Sequence, residues 1–308
     1  GCGVDTTTLV PGVEEFVLRV GAAQGVRLEN LGTLGGRRAL WVWNGADVTI
    51  IDMVVRESTR AGVIFGGWES VVSVDGLDVI DTIAEPDGGF DFGYGISIQD
   101  ADVTLASTNV TGSTSVGILV TDSLAEVTMN GVRVDGTARD QYGLLGRGIQ
   151  VQDGAMLTMD GCHIGQTAAN HDAGIFSYAA AWTEVLNTTV HETLASGVPA
   201  GQSCTGIECP GDGIVVTKGD FGGTAADYLA FIEDSTFSNG NRAGILIDSV
   251  TISLVNTDTG IGNGYNDGAD STYEQGTTVV VQGAADHLDE LQALVTNDTL
   301  AALDDLQP

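Results

Sequence analysis

The chain has 308 residues, 43% of them apolar, with 44 Gly against only 5 Pro; this excludes a disordered or collagen-like polymer and leaves material for a large core. Its 42 acidic and 11 basic residues give a net charge of −31, a surface that repels nucleic-acid phosphates, so no nucleic-acid partner is expected. Only one basic residue is a lysine, Lys218, and six of the eleven (Arg19, Arg27, Arg37, Arg38, Arg56, Arg60) lie in the first sixty positions.

Taken in chain order, Gly1-Cys2-Gly3 comes first. It resembles the end of a bacterial lipoprotein signal, where the cysteine carries lipid, so a lipid anchor at Cys2 is one expectation. No run of apolar residues is long enough to cross a bilayer. Phe16-Val17-Leu18-Arg19-Val20 alternates and reads as a strand closing one end of the fold, and residues 1–38 are assigned to an N-terminal tail and cap.

From Ala39 onward a phrase recurs. Ala39-Leu40-Trp41-Val42 introduces it, and seven copies of Gly-apolar-any-apolar follow, beginning at Gly62, Gly95, Gly117, Gly148, Gly174, Gly213 and Gly244. Each reads as a turn glycine entering a short strand, and recurrence at this interval means that one structural unit is stacked. A second alternating phrase follows the first, as in Ala46-Asp47-Val48-Thr49-Ile50, Ala101-Asp102-Val103-Thr104-Leu105 and Ala125-Glu126-Val127-Thr128-Met129. Its apolar third and fifth members point inward. A bend residue comes next (Asp52, Gly76, Ser107, Gly131, Gly161), then a third strand such as Val132-Arg133-Val134 or Cys162-His163-Ile164. Cys162 thereby falls on an inward position, as a core thiol.

Three strands and three bends make one coil, and coils stacked about 4.8 Å apart pair in parallel. Repeat length is expected to vary by insertion at one place, between the third strand and the next glycine. The longest loop holds Cys204 and Cys209 at a spacing that can close a small disulfide ring, which implies an oxidising compartment. Residues 263–274 partly fit a calcium-loop template, but Tyr265 occupies an oxygen position, so an ordinary turn is the better reading. Residues 39–275 are assigned to the coils and 276–308 to a final strand and helical cap; His287 to Leu294 has helical spacing.

The pattern resembles the right-handed parallel β-helix proteins of the pectate-lyase-like type. That resemblance implies an all-β, single-stranded, right-handed parallel β-helix (solenoid) with three short strands per coil, here with a short C-terminal helical cap. It also implies that any substrate lies on an outer sheet along a groove bordered by long loops, so the exposed side of the glycine-led strands is the face to inspect.

Two outward columns run along that face. The first reads Trp41, Ile64, Ser97, Leu119, Gln150, Phe176, Val215, Leu246 and is too apolar to stay bare. The second contains Trp43, Gln99, Thr121, Gln152 and Tyr178, aromatic faces and hydrogen-bonding groups of the kind that a sugar chain needs; with Arg147 these are the candidate substrate contacts.

One position later stand Asp100, Asp122 and Asp153. They read as turn residues bonding their own backbone, as a site for calcium, or as part of a hydrolytic carboxylate set. Candidate catalytic groups are Asp122, Asp153 and Asp172 for hydrolysis; for a lyase, His171 and Lys218 could supply base and cation, with Arg139, Arg147 and Tyr178 nearby. The aspartate motifs of polygalacturonase-like hydrolases and the basic pattern of pectate lyases are not matched. The expectation is therefore an exported or surface-anchored protein binding extracellular polysaccharide. The alternatives are a polysaccharide lyase or glycoside hydrolase, and a surface adhesin or assembly component with a protein partner.

Overall fold

The computed structural model describes residues 8–9, 16–84, 93–140, 143, 145–194, 211–217, 229–240, 244–248, 250–255, 257 and 278–282. Cys2, Cys204, Cys209, Lys218, residues 263–274 and the expected C-terminal helix lie outside the described residues. Among those described, no helix is long and apolar enough to cross a membrane.

The strands wind as the alternation requires. Val116–Thr121, Glu126–Asn130 and Arg133–Asp135 form one coil, and Arg147–Gln152, Met156–Asp160 and His163–Ile164 form the next. Equivalent strands pair in parallel, so like residues stack: Ile118 lies between Ile96 and Ile149, all three fully buried. On the second sheet, Thr49, Ser73, Thr104, Thr128 and Thr158 follow one another in register on the outward side. Beneath them Leu105, Met129, Leu157 and Met159 are fully buried, each removal from water contributing about 1.5–3 kcal/mol.

The bends repeat as faithfully as the strands. Asn30, Asp52, Gly76, Ser107, Gly131, Gly161, Asn187 and Asp234 all take positive φ between the second and third strands. This left-handed backbone brings any Cβ close to the following carbonyl oxygen, a clash that glycine avoids and that short polar side chains such as Asn and Asp offset by local hydrogen bonding. Cys162 sits in the core just past such a bend, and burial pushes its thiol up to about 11.

The repeat glycines have a different cause from the one the sequence suggests. None of Gly62, Gly95, Gly117, Gly148, Gly174 and Gly213 has a positive φ; each lies where the coil closes on itself. A Cβ on any of them would stand 2.5–2.7 Å from the carbonyl oxygen of the next coil's glycine, and would also strike the side chain of the third strand. Close approach, not turn geometry, selects glycine. Ala39 fills the equivalent position in an early coil, fully buried.

Two further features depart from expectation. Phe16–Gly21, Val26–Glu29 and Gly32–Leu34 already form a coil whose strands pair with Arg38–Trp43 and Asp47–Arg56, so winding runs through the segment assigned to a tail and cap. Insertion also occurs at a second corner. Tyr178 pairs with Thr217 and Trp182 with Leu229, so the first bend grows by eight residues from one coil to the next.

Candidate functional site

The outward side of the glycine-led sheet carries both predicted columns, and the register places them as expected. Ser97 follows Ile64, Leu119 follows Ser97, and Gln150 and Phe176 continue the line. Gln99 and Thr121 pair directly, as do Gln152 and Tyr178. Of the apolar members, Leu119 and Val215 are covered, at 7% and 6% exposed, whereas Trp41, Ile64 and Phe176 are half-buried.

Toward the middle of the sheet the side chains form one connected polar strip. Arg147 Nε donates to Asp172 Oδ2 at 2.6 Å, and Arg147 Nη1 donates to Gln150 Oε1 at 3.0 Å. Gln150 donates to Gln152, whose Nε2 donates to Asp153 Oδ2 at 2.7 Å; Thr121 Oγ1 donates to the same oxygen at 3.1 Å. The Arg147 guanidinium also lies 3.5 Å from the centre of the Phe176 ring, which is stacked with Tyr178 at 6.1 Å and 14°. Arg147 is thus engaged by a carboxylate, an amide and a ring within the fold itself.

The aspartate column lies along the edge of the strip. Asp100, Asp122 and Asp153 all have positive φ, and so do Ala22, Asn44, Gly67 and Ala179 at the equivalent point of other coils. The position is a left-handed bend that aspartate tolerates, which accounts for its recurrence. The three carboxylates are nevertheless neighbours. Burial first, then the charges of Asp100 and Asp153, raise the pKa of Asp122 above the ordinary carboxylate value. Among the described residues no group of three or more His, Cys, Asp or Glu side chains is arranged to hold a metal ion.

The remaining candidates separate. Asp172 is tied to Arg147 and is only 8% exposed. His171, expected in a solvated loop, instead belongs to the strand Asn170–Tyr178 and is half-buried, its Nδ1 accepting from Arg139 Nε at 3.2 Å. The extended strand and the arginine shield it from water.

Sequence reasoning missed a second region on the same face. At its N-terminal end the rings of Phe16 and Trp41 stack at 4.7 Å, and those of Trp41 and Trp43 at 5.2 Å. Arg19 lies over Trp43 at 4.3 Å and Trp41 at 4.7 Å, and Arg38 over Phe16 at 5.2 Å. Gly21 makes this possible, since any Cβ there would enter the Trp43 indole. Beside the shelf opens a groove of about 530 Å³, lined among others by Phe16, Arg19, Arg38, Trp41, Arg60 and Tyr94. The available signal was the crowding of six arginines and two tryptophans into the first sixty residues.

A family model described as right handed beta helix region matches residues 38–212, more than half of the chain. No curated protein matches. Among solved structures the chain is similar to the Dettilon tailspike protein (gp208), at 12% identity and a TM-score of 0.29. The alignment covers 90% of this chain and 60% of that protein, so the chain spans less than two thirds of the tailspike's length.

Proposed function

We propose that this chain, which belongs to the right-handed β-helix family, is an exported protein that binds extracellular polysaccharide along the outward side of its glycine-led sheet. The carrying observation is the line of groups along that side: aromatic shelves at Trp41–Trp43 and at Phe176–Tyr178, with Gln99, Thr121 and Gln152 between them. Successive coils stand about 4.8 Å apart, a rise comparable to one sugar ring, so a chain laid along the coils meets one set of contacts per residue. Ring faces bind the apolar faces of sugars, while amides and hydroxyls pair with their hydroxyl groups.

Affinity electrophoresis in gels containing neutral and acidic soluble polysaccharides tests this reading. Retardation by at least one polymer, reduced by Trp43→Ala and Tyr178→Ala, is the expected result; uniform mobility in every gel refutes it. Running the gels with calcium and then with chelator asks whether Asp100, Asp122 and Asp153 recruit a cation when sugar is present.

A hydrolytic reading has one specific observation behind it. Asp122, whose pKa burial and the neighbouring carboxylates raise above the ordinary value, stands beside Asp153, whose Oδ2 accepts hydrogen bonds from Thr121 and Gln152. An acid and a base in adjacent coils are what glycoside cleavage requires. Release of reducing ends from the retained polymer, abolished by Asp122→Asn and Asp153→Asn, is its test.

A further inference from the structure

The outward side of the second sheet changes character along its length. In the earlier coils it carries Thr49, Ser73, Thr104 and Thr128, whereas three later coils present a group of apolar side chains. Met156, Trp182 and Leu229 stand on successive coils in direct register, with Leu186 on the strand of Trp182 and Phe231 on that of Leu229. Met156 is 41% and Leu229 37% exposed, and Trp182, Leu186 and Phe231 are half-buried. Isolated exposed apolar residues are ordinary on a protein surface, but consecutive coils join these into one patch.

Carboxylates interleave the patch. Glu126 pairs with Met156, Glu184 lies between Thr158 and Phe231, and Leu186 lies between Asp160 and Glu233. Thr158 donates to Glu184 at 3.1 Å and Asn187 to Asp160 at 2.8 Å, neutral partners that leave both negative charges in place. Among the described residues, no outward position of this sheet from Asp47 onward holds Lys, Arg or His. A second copy brings the same carboxylates and another net −31, and an anionic lipid surface adds more negative charge, so neither answers this face. An apolar stripe with positive charge beside it does.

We infer that this stretch of the second sheet is a docking site for a basic amphipathic helix of another protein. The column of Met156, Trp182 and Leu229 offers one apolar side chain per coil, about 4.8 Å apart. A helix repeats its apolar face about every 5.4 Å, so one laid along the stack sets a turn against each coil. Lysines or arginines on one flank of its stripe then meet Glu184, Asp160 and Glu233. The face belongs to a different sheet from the columns proposed to meet polysaccharide, so the inference is independent of that reading.

Fluorescence polarisation with labelled model peptides tests the inference. Three are compared: a helix-forming Leu/Lys peptide whose leucines make one stripe, a scrambled peptide of the same composition, and a Leu/Glu peptide with the same stripe. The striped Leu/Lys peptide is expected to bind roughly tenfold more tightly than either of the others, and Trp182→Ser and Leu229→Ser should each weaken it by a similar factor. The double variant Glu184→Gln/Glu233→Gln keeps the apolar patch; it should weaken binding severalfold and reduce its dependence on salt. That variant decides the matter should either serine variant lose the far-ultraviolet spectrum of the parent. Val71→Ser, exposed on the same sheet in an earlier coil, should leave binding unchanged. Equal binding of the scrambled or the Leu/Glu peptide overturns the inference. So does an affinity that survives the substitutions within the patch, or one that falls equally with Val71→Ser.

Discussion

The first coils and the middle coils of the glycine-led face share one backbone and use their arginines in opposite ways. At the middle coils Arg147 is spent internally, 2.6 Å from a nearly buried Asp172 and pressed on Phe176. At the first coils Arg19 lies exposed on a stack of rings. Parallel register fixes where an outward side chain stands but not what it touches, so one sheet holds an arginine paired with a carboxylate and an exposed arginine laid on aromatic rings.

The comparison breaks first if the backbone common to both regions fails. Gly117→Val forces a branched side chain against the Gly148 carbonyl and Val134, and should cost about 3 kcal/mol or more by denaturant unfolding. Gly131→Asn, at φ +62 with open space around it, should stay within about 1 kcal/mol of the parent. Equal losses at both sites would refute the claim that close approach selects the repeat glycines.

The contrast between the arginines is sharper still in stability measurements. Arg147→Met removes a largely buried ion pair and should lower stability by about 2 kcal/mol. Arg19→Gln should leave it within about 0.5 kcal/mol, because the side chain is exposed. A large loss from Arg19→Gln would make the N-terminal cluster a structural element like its counterpart.

The smallest effect belongs to Asp122. Its pKa is raised in the folded state, so folding favours the protonated form; that contribution is complete below the unfolded-state value and is lost as pH rises through the folded one. Asp122→Asn should therefore be slightly more stable than the parent at neutral pH, and its advantage should vanish in acid. A variant less stable than the parent at pH 7 would contradict the sign.

The inward half of this molecule was legible throughout, and the outward half in its columns and register but not in the contacts its side chains make. Ile96, Ile118 and Ile149 announce themselves because burial forces a two-residue period, and each bend column accepts so few residue types that Asp52, Gly76, Ser107, Gly131 and Gly161 mark the corners. Outward positions obey no such rule. Arg19, Arg38 and Arg60 went unread as a group because the coil from Phe16 to Leu34 lacks the glycine phrase, leaving nothing to align its outward residues with those of later coils. His171 looked like loop because the residues around it are polar, yet pairing of Asn170 and His171 with Thr193 and Leu194 draws them into a strand.

Because every coil touches chiefly the one before and the one after, the molecule has a natural unit of length. The stretch from Gly95 to Tyr94's next counterpart, Val116, is one complete turn. Excising residues 95–116 would set Gly117 directly after Tyr94 and lay its strand on the coil of Gly62, with isoleucine again over valine and threonine again over serine. Such a protein can be lengthened or shortened by whole turns, about 4.8 Å at a time, while its cross-section stays the same. The reach of its outer face along a ligand is thereby adjustable independently of its core.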